Sequence, residues 1–520
     1  MPTLIRKATI LAMDTQHGSA TFMGDILING NRIAAIGADL GNVAAAEIID
    51  GRDRLVMPGL VNGHLHSGET FFKGRYERMP LEVWLLYAYP LLTGETIPLR
   101  LLYLRSLLVA MESLKAGVTT ICDDFFDPPE HSLDRLERVF AAYDAAGIRA
   151  NVSSGVMNIP VLDSLPYARD IFPFEVQQLL DVGVPISVST YVDYCKSAFA
   201  EFDGRAGRLR FMIAPSAPQR CTPEFMLACD ELARTHGVPY HTHVLETKTQ
   251  AVIGSVCYGK SLVRHMHDLG LLHRGTTIAH AVWVSEADIT LIGAASCSVV
   301  HNAISNLKLG AGIAPIRRLI DAGVNVALGT DGLSSNDSAR IFDVMRVAAL
   351  VQCASGPDYA QWLSASEVLQ AATINGARSA LLDDVTGSLE VGKRADLLIL
   401  KLGGLPFTPL NNIARHLVYC ENGSSIEAVM VDGKIVVRDG RLMCLDEAAI
   451  LAEIRQEAPP YLARHAAVEA RHRALEPYFA EVHRRATAQD VGLDRYAGDL
   501  PPWTRMNHHS RDSTAKDAGR

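Results

Sequence analysis

The sequence predicts an α/β protein: a (β/α)8 TIM barrel, a small β-sandwich domain formed by both chain ends, and a C-terminal helical extension. Three observations predict it. Between residues 58 and 384, eight short β-branched or apolar runs alternate with helical patterns, the texture of parallel strands joined by crossover helices. Residues 1–57 and 385–445 instead carry short alternating strands with hairpin turns. Histidines and an aspartate fall where several of the eight runs end, the face on which such barrels carry their sites. At 520 residues the chain exceeds the usual single core, so one large domain with attachments is expected.

The elements follow in chain order. Near the N-terminus "ILINGNRIAAIG" places Asn29-Gly30 as a hairpin turn between two half-buried strands. The eight barrel strands are read in "LVMPGLVNGH", "GVTTICDDF", "RANVSSGV", "LRFMIAPS", "VPYHTHV", "TTIAHAV", "SCSVVHN" and "NVALGTDG". Short strands return in "GSLEVGKRADLLIL" and "AVMVDGKIVVRDGRL", with Asp432-Gly433 as a second hairpin turn. From residue 446 the pattern is helical and charged, as in "ARHAAVEARHRALEPYFAEVHRRA". That extension is expected to pack on its own barrel or, alternatively, to reach across a subunit interface. The last twenty residues are expected to be disordered.

Composition sets the function class. An apolar fraction of 48% with 21% charged residues is that of an ordinary soluble enzyme, and a net charge of −9 argues against a nucleic-acid or membrane-surface partner. A small-molecule substrate is expected. Nine cysteines with no CxxC spacing read as reduced thiols. The N-terminal apolar run is interrupted by Asp14 and no later segment is long enough to span a membrane. A cytoplasmic location is expected.

The polar residues at the strand ends carry the chemistry. His64 and His66 end the first barrel strand, His241 and His243 the fifth, His280 the sixth, and Asp331 the eighth. Residues i and i+2 share a strand face, so either histidine pair can converge on one ion. Each signal alone has a plainer account: Asp331-Gly332 is an ordinary turn, and His280 a satisfied core histidine. Together they form a borderline N/O donor set suited to zinc, with ferrous iron and manganese accepting the same ligands. Strand geometry cannot choose between His241 and His243, which point the same way.

The segments "PGLVNGHLH", "HTHVLETKT", "IAHAVWV", "HNAISNLKLGAGIAPIRRLIDAGVNVALGTDGLSSNDS" and "ATINGARSALLDDVTGSLEVGKRADLLIL" resemble the amidohydrolase superfamily, in the branch of metal-dependent deaminases and triazine hydrolases. The resemblance runs from about residue 20 to about 440. It implies a His-x-x-Glu pattern on the fifth strand, which His243 and Glu246 match, leaving His241 as the extra residue. It further implies His64, His66, His243 and Asp331 as ligands of one divalent metal, with Glu246, His280 and Asp331 catalytic. A second metal would need a lysine at the end of the fourth strand, and "LRFMIAPS" has none. Relatives of this kind imply a homo-oligomer, a dimer or larger.

Two departures bear on substrate. Nucleoside-type members carry histidine after the fourth-strand proline, where this chain has Ser216; they carry glutamate beyond a proline matched here by Pro90, followed by Leu91 and Leu92. Both point away from an adenosine-like substrate. Glu69, Trp84, Ser216, Gln219, Arg220 and Asn306 are the candidate substrate-binding residues, and Asn306 with Lys308 is expected to shape the loop beside the metal. The expected activity is hydrolytic deamination of an aminated purine, pterin, pyrimidine or triazine. The alternatives are cleavage of a carbon–halogen, N-alkyl, aryl-urea or amide bond on the same fold, and a barrel without activity serving as a scaffold.

Overall fold

The computed structural model describes residues 2–45, 47–91, 96–126, 131–181 and 186–498. Leu92 and the tail expected to be disordered lie outside them. The N-terminal part forms β1 (Thr3–Leu11), β2 (Thr21–Asn29), β3 (Arg32–Gly37), β4 (Glu47–Asp50) and β5 (Arg54–Pro58). Eight further strands follow in two four-stranded parallel sheets: β6 (Leu60–Leu65), β7 (Val118–Asp123), β8 (Arg149–Val152) and β9 (Leu209–Phe211), then β10 (Tyr240–Val244), β11 (Thr276–His280), β12 (Ser298–His301) and β13 (Asn325–Leu328). The chain then adds β14 (Leu397–Lys401), β15 (Ile426–Val431), β16 (Lys434–Arg438) and β17 (Arg441–Leu442).

Backbone hydrogen bonds also pass between the two parallel sheets. At one junction His241 N donates to Ile213 O (2.9 Å), and at the other Asp331 N donates to His64 O (2.9 Å). The parallel strands are buried on both faces, β6, β7, β10 and β11 without exception. Their polar residues, such as Asn62, His64, Asp123, His241, His243 and His280, are therefore buried along with the apolar ones. Helices start where capping residues allow it: Ser285 and Asp288 form a reciprocal capping box at Glu286–Ala294.

Both chain ends meet in one nine-stranded sheet, in the order β17-β16-β15-β14-β5-β1-β2-β3 with β4 on β1. Its own core contains Ile5, Ile10, Ile26, Val56, Leu397 and Met430. The turn Asp432-Gly433 falls as expected, with φ 50° and 74°, the double positive φ of a type I′ turn; the other is one residue later than expected, since Asn29 pairs with Arg32 and the turn is Gly30-Asn31. The run "LVMPGLVNGH", expected as one strand, is two. β5 pairs antiparallel with β14, and β6 pairs with β7. Gly59 makes the crossing, and a Cβ there would lie 2.0 Å from Thr119 Oγ1. A buried ion pair joins the sheets, Arg149 on β8 donating to both carboxylate oxygens of Asp396 (2.6 and 3.1 Å).

The C-terminal extension packs on its own chain. The helix Glu447–His472 lies along the helices Leu81–Ala88 and Leu99–Lys115, and the helix Glu476–Thr487 along Leu81–Ala88 and Lys248–Tyr258. Arg75 makes two bonds of 2.7 Å to Glu469, and Tyr76 a third of 2.6 Å. No helix of the described residues is long and apolar enough to cross a membrane, and all nine cysteines are free.

Candidate metal centre and active site

Three imidazoles and a carboxylate converge where β6, β10 and β13 end. The Nδ1 of His66 is 2.7 Å from the carbonyl of Asp124, and the Nδ1 of His243 is 2.7 Å from the carbonyl of Ser216. A carbonyl only accepts, so each ring keeps its proton on Nδ1 and turns Nε2 inward. The two Nε2 atoms face each other at 3.2 Å. Two lone pairs at that distance repel unless a metal ion or a proton on one Nε2 stands between them. The Nε2 of His64 is buried without a partner, and Asp331 Oδ1 lies 3.5 Å from it and 3.4 Å from His66 Nε2.

Ligand atoms of His64, His66 and His243 all lie within 4.8 Å of one another, as do those of His64, His280 and Asp331. This convergence fits a divalent metal with nitrogen and oxygen donors. The electrostatics agree. Burial drives His243 well below its usual range and His64 down to about 4, so both are neutral donors. Burial would lower His66 too, but the carboxylates of Asp331, Asp124 and Glu69 outweigh it and hold the ring at about 9. A site that pulls a proton this strongly is one where a metal cation competes with protons. Burial works against ionised Asp331, yet the His64, His280 and His66 rings keep it well below the usual carboxylate range.

His241 settles where the fifth-strand pair divides. Its Nε2 lies 2.8 Å from Nδ1 of His64, with the two rings stacked, so it touches a ring of the cluster and stays out of the cluster itself. His280 and Asp331 both adopt left-handed backbone conformations, φ 75° and 64°, costly for such residues and concentrated at working sites. His280 Nδ1 is 2.8 Å from Asn306 Oδ1, which leaves Nε2, buried and without a partner, facing Glu246 Oε2 at 3.8 Å and Asp331 Oδ2 at 4.0 Å. Ser305 donates to the second oxygen of Asp331.

A cavity of about 540 Å³ opens over this cluster, reaching His66, Asp124, His243, Glu246, His280 and Asp331. Glu69, Trp84, Ser216 and Arg220 line it as expected of pocket residues. Glu69 accepts from Tyr89 and from the Ser334 hydroxyl (2.9 and 2.7 Å), and burial pushes it up to about 7. It leaves no room beside Gly332, where a Cβ would lie 1.8 Å from Glu69 Oε2. Arg220 donates to Ser216 Oγ at 3.2 Å. Gln219 does not line this cavity; it faces a small adjoining pocket with Thr249 and Gln250. Asn306 is likewise absent from the wall, and its contact is His280. Lys308 donates to Ser334 O at 3.0 Å, on the loop after Asp331.

The Amidohydrolase family model matches residues 55–436. The chain belongs to the amidohydrolase family. It is 33% identical over 466 residues to a 5'-deoxyadenosine deaminase of Methanosarcina mazei, covering 89% of this chain and 98% of that one. It is 34% identical over 470 residues to a 5-methylthioadenosine/S-adenosylhomocysteine deaminase of Desulforudis audaxviator, covering 88% and 98%. Among solved structures, an atrazine chlorohydrolase from Arthrobacter aurescens complexed with zinc superimposes with a TM-score of 0.79 at 27% identity, over 90% of this chain and 100% of that one. An adenosine deaminase from Xanthomonas campestris with bound zinc gives 0.77 at 27% identity, over 89% and 98%.

Several members of this amidohydrolase site are absent from the sequence expectations. Asp124 follows directly on β7 in "ICDDF", and the strand-end rule that found His64 applies to it equally. Ser305, Ser334 and Tyr89 act on Asp331 and Glu69 across the fold, and no local pattern marks them. Phe479 reaches the cavity from the C-terminal extension.

Proposed function

We propose that this amidohydrolase is a metal-dependent deaminase of an aminated N-heterocycle, purine-like or of a related azine class. The convergence of His64, His66, His243 and Asp331 carries the reading, with the Nε2 atoms of His66 and His243 facing each other at 3.2 Å where a metal or a proton must stand. In this reading His64, His66, His243 and Asp331 hold one divalent ion, zinc first, as in the zinc-containing neighbours. Such an ion supplies Lewis acidity and brings the pKa of a water to about 7.

The chain's own groups handle the protons. Burial raises the Glu246 carboxyl, so it can carry a proton to a ring nitrogen and make the adjacent carbon electrophilic. His280, its Nδ1 fixed by Asn306, offers Nε2 to the attacking water and to the oxygen charge that develops. Asp331 accepts the water's proton. Glu246 next takes the hydroxyl proton of the tetrahedral adduct and passes it to the leaving nitrogen, which departs as ammonia as the carbonyl forms, and the proton on Asp331 restores Glu246. Two curated relatives named for aminated nucleosides support this outcome and weigh against the expectation drawn from Ser216 and Leu91 that adenosine-like rings are excluded.

The same reading takes the eight parallel strands as one (β/α)8 barrel, supported by the bonds at both sheet junctions. It keeps the terminal sheet, 1–57 with 385–445, as a separate β-sandwich domain against 58–384, with 446–520 as the extension. It holds the protein to be a cytoplasmic homo-oligomer acting on a small molecule, with neither nucleic acid nor membrane as partner.

Ammonia release from amino-purines, pterins, pyrimidines and triazines by the zinc-loaded protein tests the activity, with Glu246→Gln as control. Release that disappears in the control is expected. A second reading, loss of halide or alkylamine from a triazine, is favoured by the atrazine chlorohydrolase neighbour. Chloride or amine release without ammonia would replace the first reading by the second.

A further inference from the structure

The floor and the outer wall of the cavity differ in chemistry. The floor is the histidine and carboxylate cluster. Among the described residues Arg220 is the only arginine or lysine on the wall, and it sits by Ser216, whose carbonyl holds His243. The rest of the described lining is mostly apolar, including Leu81, Leu85, Phe126, Met157, Val161 and Phe479, with Glu82, Tyr89 and Ser164 among them. A ring seated at the floor to be deaminated would therefore project any substituent against apolar side chains.

Phe479 reaches this wall from far along the chain. It belongs to the helix Glu476–Thr487, outside the residues 55–436 that match the family model. That helix is fastened over the cavity by contacts of different kinds. His483 Nδ1 is 3.1 Å from Oε2 of buried Glu82, whose other oxygen accepts from Thr247 at 3.0 Å. Lys248 Nζ donates to the carbonyl of Thr487 at 2.7 Å. Phe172 meets the ring of Phe479 edge-on at 5.2 Å. Beyond the helix, Arg495 donates to the carbonyls of Val282 and Val284 at 3.0 and 2.6 Å. Phe479 is 2% exposed and Val482 fully buried. The helix is thus a fixed wall.

We infer that Phe479, supplied by the C-terminal extension, is the residue that selects for an apolar substituent on the ring seated at the floor. Burying a chain of a few carbons against such a wall discriminates by tenfold or more, since each methylene in an apolar pocket counts. The inference rests on the proposed function only for where the ring sits.

Matched pairs test it: adenine against 9-propyladenine, and melamine against N-propylmelamine, titrated calorimetrically into the zinc-loaded full-length protein with ammonia release followed in parallel. In at least one pair the propyl member is expected to bind about tenfold tighter. Phe479→Ala should reduce that preference to below about threefold, acting on Kd and KM more than on kcat, and Phe479→Leu should restore most of it. Absence of any preference in the unaltered protein, failure of every propyl compound to bind, or an undiminished preference in Phe479→Ala overturns the inference. Preferential binding without ammonia would instead remove the deaminase reading and leave this one standing. Ammonia release without preference would do the reverse.

Discussion

β6 and β10 each end in two histidines one residue apart, and the two strand ends use them differently. On β6 both rings, His64 and His66, bring Nε2 into the ligand cluster. On β10 only His243 does so, while His241 sets its Nε2 2.8 Å from Nδ1 of His64. Both pairs obey the strand rule that i and i+2 share a face. Spacing therefore decides which way a ring points, and depth along the strand decides whether it joins the candidate ligand cluster or touches one of its rings. In the sequence the two pairs read alike.

The sharpest way to break this comparison is to remove one ring at a time from β10. His243→Ala should empty the site, with metal content falling from about one per chain to near zero and activity lost with it. Metal analysis giving that result for His241→Ala instead would reverse the assignment. Next in size is Glu246→Gln, which should keep the metal yet lose turnover by a factor on the order of 10² or more; rates near those of the unaltered protein would take Glu246 out of the reaction.

His241→Ala is expected to be milder. It frees the His64 ring from its neighbour, and loss of such an orienting partner weakens metal affinity by roughly 10- to 100-fold. Competition against a chelator measures this, and an unchanged affinity would reduce His241 to packing. Smallest of all is His483→Ala, the removal of a histidine bound to a carboxylate away from the cluster. Its metal affinity should match the parent's, and its melting temperature should drop by a few °C, because buried Glu82 loses a hydrogen-bond partner. A loss of metal in His483→Ala would mean that histidine removal disturbs the site nonspecifically, and the contrast between His241 and His243 would lose its meaning.

Legibility followed distance along the chain. His64, His66, His243, His280 and Asp331 are readable because each sits at the end of a recognisable strand, whereas Glu246 is readable only through the His-x-x-Glu pattern that the family resemblance implies. Asp124 was readable by that rule and was passed over. Gln219 and Asn306 were expected at the substrate and lie one layer back, Gln219 in an adjoining pocket and Asn306 on His280. Position in a loop does not say which way a side chain turns. Phe479 and His483 were beyond reach, since a charged helical pattern gives a helix but not its docking site. The break at Gly59 was hidden for a related reason: β5 and β6 are both apolar, and only the partners they find separate them.

The pairing of β5 with β14 has a consequence for synthesis. β5 ends at Pro58 and its partner begins at Leu397, roughly 340 residues later. At about 5–20 residues per second the ribosome needs some 20–70 seconds to make that stretch. Throughout this interval the N-terminal strands have an open edge beside β5, and the Arg149 guanidinium awaits Asp396. The nascent chain can assemble its parallel strands in order, but the sheet that binds its beginning to its end is among the last parts it can complete. Exposed edges of this kind invite pairing with another chain. A fragment ending before residue 397 should therefore aggregate even though every residue of the metal cluster is already present.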